Sequence, residues 1–203
     1  MVDDTDIPEI AHEHHHAHPD RFRRFSGIYV GVVALLLAIS TLGGGRATKE
    51  MLGASIRVSD TYSFAQAKYD RQTAYELAAD QLEAQLAEQP AMPDAAKASL
   101  TKSIEKYRKA AAHYASDPAT GEGRKELLAK AKEWEARRDH AEAQDPNFQF
   151  AAAFFQIAIV LASVAITSSS SALLGLSAAS AVLATLLTLN GYFLLVPLPS
   201  FGS

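Results

Sequence analysis

Hydrophobic and polar positions fall along this chain in blocks. Residues 25–45 and 146–203 contain no Asp, Glu, Lys or Arg, and every charged residue lies within 1–24 or 46–145. A charge-free run of 21 residues crosses a hydrocarbon core of ~30 Å at ~1.5 Å per helical residue. The later run of 58 residues is long enough to cross twice with a connector. The pattern predicts an all-α integral membrane protein with three transmembrane helices.

The first span is placed at 25–45, where FSGIYVGVVALLLAISTL leads into Gly43, Gly44 and Gly45, read as a flexible exit. Before it, residues 1–24 hold six acidic groups and five His with few bulky apolar residues, and are read as a disordered tail. The second span is placed at 146–167, a polar turn at the serines 168–171, and the third span at 172–196. Residues 197–203, with Pro197 and Pro199, form an extended tail, and Tyr192 and Phe193 occupy interfacial positions.

The polar block 46–145 has its own organisation. Residues 46–89 lack Pro and predict a helix of up to ~66 Å, ending before Pro90 and Pro93. After Asp94, read as an N-cap, Leu100, Ile104, Tyr107, Ala111 and Tyr114 follow a 4-3-4-3 spacing that puts them on one helical seam. Asp117-Pro118, Gly121 and Gly123 break that helix. Leu127, Leu128, Ala131, Trp134 and Arg138 then mark another face, as far as Asp145-Pro146. The first span leaves the chain on the surface from which the second must start, so the block has to go out and return. An outgoing helix of about 44 residues matches two returning helices of about 23 and 24 laid end to end. The expected form is a long antiparallel helical hairpin, coiled-coil-like, inserted between spans one and two.

Charge refines this picture. The formal net charge is −4 with a pI near 6.0, and 16 basic residues in 46–145 are interleaved with 17 acidic ones, which argues against a nucleic-acid partner. Arg21, Arg23 and Arg24 ahead of the first span favour a cytoplasmic N-terminus, against the opposing pull of Arg46 and Lys49. That orientation puts the hairpin in the periplasm of a bacterial inner membrane. The chain has no Cys, which removes disulfides, thiolate nucleophiles and Cys-type zinc sites.

Candidate chemistry is sparse. His12, His14, His15, His16 and His18 could bind zinc, nickel or copper weakly, but nothing in such a tail orients the rings, so it is read first as solvated. No other cofactor is expected. Tyr62, Tyr69, Tyr75, Tyr107, Tyr114 and Trp134 are read as interhelical packing rather than a ligand platform. His113 and His140 are the remaining histidines, and no GxxxxGK, HExxH or GxSxG motif is present. Within the spans, Gly27 with Gly31, Ala158 with Ala162, and Ser171, Gly175 and Ala179 form small-residue faces for close helix packing. Gln149, Gln156 and Asn190 are candidate interhelical donors. No ionisable residue lies inside a span, which argues against secondary ion coupling.

The join of the first span to the hairpin, AQAKYDRQ at 65–72, FQIAIVLASVAI at 155–166 and LNGYFL at 189–194, in that order, resembles a bacterial membrane family catalogued as domain of unknown function 4337. The resemblance covers about residues 20–195. It implies a three-span helical protein with a helical insertion after span one, and brings no established activity. In that family the turn between the last two spans often carries basic residues, where this chain has Ser168 to Ser171.

The expected role is a non-enzymatic inner-membrane scaffold or interaction protein that self-assembles in the lipid bilayer, with an unidentified membrane or periplasmic protein as a further partner. The alternative is an oligomeric pore or transport accessory, lined by Ser163, Thr167, Thr185, Thr188 and the amides.

Overall fold

A computed structural model describes residues 17–197, with side chains from Arg23 onward. Among these residues the chain is all-helical, with four helices and no strand: α1 (Ala17–Glu88), α2 (Asp94–Ala115), α3 (Arg124–Ser168) and α4 (Ser171–Phe193). α1, α3 and α4 are long and apolar enough to cross a membrane.

The helix count differs from the sequence expectation, because the first span and the outgoing helix are one element, as are the second returning helix and the second span. The reason is a shared seam. On α1, Ser26, Val33, Ser40, Ala47, Ala54 and Thr61 are buried at intervals of seven. A second line, Leu37, Gly44, Met51, Val58, Ala65, Gln72 and Ala79, is buried or half-buried at the same interval. On α3, Ala141, Phe148, Phe155 and Ala162 repeat the pattern. A heptad repeat keeps its positions on one face of a helix.

That seam runs straight through the two predicted breaks. Gly43, Gly44 and Gly45 are helical rather than a flexible exit, and Pro146 lies inside α3 rather than ending a helix. An interior proline costs ~3 kcal/mol and each interior glycine ~1 kcal/mol relative to Ala, so packing at these positions has to offset them. Around Pro146, the Asn147 side-chain amide donates to the Ala143 carbonyl at 3.0 Å, adding a donor in the turn where the proline has no N–H.

Other boundaries also move. α1 begins at Ala17, inside the segment expected to be a disordered tail. Asp94 is the first residue of α2 rather than its cap, and Pro93 holds the cap position without a side-chain bond. The tetraserine turn narrows to Ser169 and Ser170, with Ser169 left-handed at φ 50°. α4 stops at Phe193, before the expected end at 196, because Leu194 turns left-handed and donates its N–H to the Asn190 carbonyl at 2.7 Å.

The contacts divide the chain into two compact units. One contains α1 up to Ala47, α3 from Ala143, and α4. Its core is Val33, Ala151, Phe155, Ala158, Ala181 and Ala184. The predominance of alanine lets backbones approach closely enough for polar bonds: Ser177 Oγ donates to the Ala158 carbonyl at 2.6 Å and Ser180 Oγ to the Phe154 carbonyl at 2.8 Å. Tyr29 Oη and Ser177 Oγ are 2.9 Å apart. With the serine proton committed to Ala158, the tyrosine is the donor.

The other unit spans Thr48–Glu142. Within it α1 runs antiparallel to α2 and to the start of α3. In chain order along α1, Tyr62 meets Glu135, Tyr69 meets Arg124, Tyr75 meets Tyr114 and Tyr107, and Asp80 and Glu83 meet Arg108. This differs from an inserted hairpin of separate helices, since α2 alone begins and ends inside the polar block. The α2–α3 turn is held by Glu126, whose carboxylate accepts from Ser116 Oγ at 2.6 Å and from the Asp117 N–H at 3.1 Å. Gly123 is required there, because a Cβ would collide with the Asp117 backbone nitrogen.

Candidate functional site

Two clusters stand out, one in each unit, and each contains a segment singled out from the sequence. In the unit with α4, the ring of Phe148 sits among Gly43, Gly44 and Gly191. A Cβ on Gly43 would lie 2.5 Å from Phe148 Cε1, and one on Gly191 2.9 Å from the same atom. Gly43 and Gly44 therefore provide space for an aromatic ring, while a Cβ on Gly45 would meet nothing within 4 Å. Tyr192 meets Phe148 edge-on, with ring centroids 4.9 Å apart. Ser40 Oγ donates to the Phe148 carbonyl at 3.4 Å.

Asn147, fully buried, accepts at Oδ1 from the Asn190 amide at 2.7 Å. Asn190 also donates to the Val196 carbonyl and accepts from the Val196 N–H, both at 2.8 Å. One side-chain amide thus joins α3, α4 and the segment after α4. Of the three predicted polar residues, Asn190 alone makes an interhelical bond among the described residues. Gln149 donates to Asp145 within its own helix, and Gln156 is exposed. Asn147, Ser177 and Ser180 were missed. Ser177 had a signal in its seven-residue spacing from Ala184 and Gly191, which carries little hydrophobic contrast, while Asn147 and Ser180 had none of that kind.

The predicted small faces divide. Ala158 and Ala162 are fully buried. Gly27, Gly31 and Gly175 face outward, and a Cβ on any of them would meet nothing within 4 Å. Ser171 and Ala179 are exposed as well. The α4 face that packs inside the chain is Ser177, Ala181, Ala184, Thr188 and Gly191, two residues and thus roughly 200° around the helix from Gly175 and Ala179. Ser163, Thr167, Thr185 and Thr188 each donate to the carbonyl four residues earlier.

In the Thr48–Glu142 unit the aromatics divide between packing and support. Tyr75 stacks on Tyr114 at 5.7 Å and tilts against Tyr107 at 5.8 Å, as the predicted seam requires. Cations cover Tyr69 and Trp134: Arg124 lies 4.4 Å over Tyr69, and Arg57 and Arg137 lie over Trp134 at 4.6 and 4.7 Å. Tyr62 Oη donates to Glu135, and that bond to a carboxylate pushes the phenol above its ordinary pKa.

The segment 65–72 lies at the centre of this unit. Ala65 is buried, Lys68 pairs with Glu122 at 3.6 Å, and Arg71 lies over Tyr114. Gln72 Nε2 donates to Glu76, while its Oε1 is buried with no donor. Gln72 also lines a groove of about 480 Å³ with Ala115, Arg124, Lys125, Leu128, Ala129 and Lys132.

Among the described residues no group of three or more His, Asp and Glu is placed to hold a metal ion. His12, His14, His15 and His16 lie outside the described residues, and His18, in the first turn of α1, lies outside those whose side chains are described. The exposed His113 lies with its Nε2 3.6 Å from Oδ2 of the largely covered Asp117.

No curated protein and no solved structure matches this chain. Its family is nonetheless clear: a match over residues 22–194, which takes in both clusters, shows that the chain belongs to the family described as Domain of unknown function (DUF4337).

Proposed function

We propose that the protein is a non-enzymatic scaffold of the bacterial inner membrane that self-assembles through its spans and presents residues 46–145 as an antiparallel, coiled-coil-like helical surface for interaction. The observation that carries this reading is the outward position of Gly27 and Gly31 on α1, where added side chains would meet nothing from the same chain. In lipid, close backbone approach at small residues is a main source of helix association, because apolar bulk alone gives no preference for protein over acyl chain. A second copy fits that face better than a lipid tail does.

Mass measurement in mild detergent and in nanodiscs tests self-assembly. The wild type is expected as an oligomer, and Gly27→Leu with Gly31→Leu as a smaller species. A strictly monomeric wild type under all gentle conditions would overturn the proposal. The N-inside orientation rests on Arg21, Arg23 and Arg24. Because the chain has no Cys, single cysteines at Ser59 and Ser169 report it cleanly: the first should label from the periplasm and the second from the cytoplasm.

The pore reading has less support. The hydroxyls it would need, on Ser163, Thr167, Thr185 and Thr188, are already bonded within their own helices. Ion flux above background in reconstituted liposomes would reverse that ranking.

A further inference from the structure

The groove on the Thr48–Glu142 unit combines an apolar floor with three cations that form no salt bridge among the described residues. Arg124, Lys125 and Lys132 line it, with Leu128 and Ala129 between them. None of the three cations is ion-paired among the described residues. The nearby carboxylates have bonding partners other than these three cations, although Glu126 also feels the charge of Lys125. Glu76 accepts from Gln72, Glu122 pairs with Lys68, Glu126 accepts from Ser116 and Asp117, and Asp117 accepts from Thr120.

Position increases the excess. Arg124 and Lys125 occupy the first turn of α3, where the helix dipole is already positive and Glu126 is the one acidic residue. The Arg124 guanidinium lies 4.4 Å over the Tyr69 ring, a cation–π contact that restrains it before any ligand arrives.

We propose that this groove binds a soluble ligand that carries a carboxylate or phosphate on a short apolar body. The anionic group meets Arg124, Lys125 and Lys132, and the body covers Leu128 and Ala129.

The test is calorimetric titration of the full chain in nanodiscs of zwitterionic lipid, with hexyl phosphate, hexanoate, inorganic phosphate and hexanol as probes and empty discs as blank. Hexyl phosphate and hexanoate should bind saturably, inorganic phosphate more weakly and hexanol not at all. Arg124→Gln with Lys132→Gln should weaken hexyl phosphate about tenfold or more, the usual cost of losing charge-assisted hydrogen bonds. Lys102→Gln with Lys109→Gln, on exposed positions of α2 outside the groove, should leave it unchanged. Leu128→Glu, which puts a carboxylate on the floor, should abolish binding while circular dichroism stays that of the wild type.

Absence of saturable binding to the wild type overturns the proposal, as does equal weakening by the α2 control pair. Equal affinity for inorganic and hexyl phosphate removes the apolar floor from it. If phosphatidic acid in the disc abolishes hexyl phosphate binding, the occupant is a lipid headgroup and the soluble assignment falls.

Discussion

The side-chain amide of Asn190 on α4 donates to Oδ1 of Asn147 on α3 at 2.7 Å, directly after the proline that α3 absorbs. Asn147 is fully buried, so loss of its partner leaves an acceptor that water cannot reach. Asn190→Ala is expected to destabilise the chain by about 1–3 kcal/mol, and Asn147→Ala by a similar amount. Asn190→Ala should also release the segment at Val196, detected as earlier proteolytic trimming of the C-terminus. Unchanged thermal unfolding and trimming would show that the amide pair is incidental.

The glycine cradle makes a prediction with a built-in control. Gly43→Ala or Gly191→Ala places a methyl inside the Phe148 ring volume, an overpacking expected to cost about 1–3 kcal/mol. Phe148→Leu should recover part of that loss in the double variant. Gly27→Ala, where a Cβ meets nothing within 4 Å, should be neutral or slightly stabilising in the single chain. Thermal unfolding in one detergent ranks all four.

The α2–α3 turn should loosen in acid. The Ser116 hydroxyl, assisted by the Asp117 N–H, holds Glu126 below its ordinary value of 4.5 against the opposing effect of burial. The Thr120 side chain does the same for Asp117 relative to 3.8, with help from backbone N–H groups and His113. Because both folded values are depressed, this stabilisation is full above the ordinary values and is lost as pH falls through the lower folded ones. The protection of amides across 112–127, relative to their intrinsic exchange, should therefore fall below about pH 4 in the wild type. In Glu126→Gln it should already be low at neutral pH.

Trp134, the sole tryptophan, carries Arg57 and Arg137 against its ring. Arg57→Gln removes a cover that joins α1 to α3, so the emission maximum should move to longer wavelength and quenching by acrylamide should rise. Arg108→Gln, on a different part of the unit with Asp80 and Glu83, should leave both unchanged.

The sequence alone determined which stretches are free of charge, and hence which helices are apolar enough to cross a bilayer. Exclusion of ions from lipid is a property of composition and needs no partner. It also determined the ends near Pro90 and Asp117-Pro118, where backbone restriction acts locally, and the seam of Leu100, Ile104, Tyr107, Ala111 and Tyr114, where large side chains mark the face. Tertiary structure decided what the local signals at Gly43–Gly45 and Pro146 amount to. Both read as breaks, and both lie inside helices because Phe148 fills the space the glycines leave and Asn147 and Asn190 supply bonds around the proline. It also decided which small face packs inward, since Gly175 and Ser177 look alike in sequence while only Ser177 faces a carbonyl of α3. Small side chains carry almost no signal of their own; what they permit depends on which backbone lies opposite, and that is a property of the folded chain.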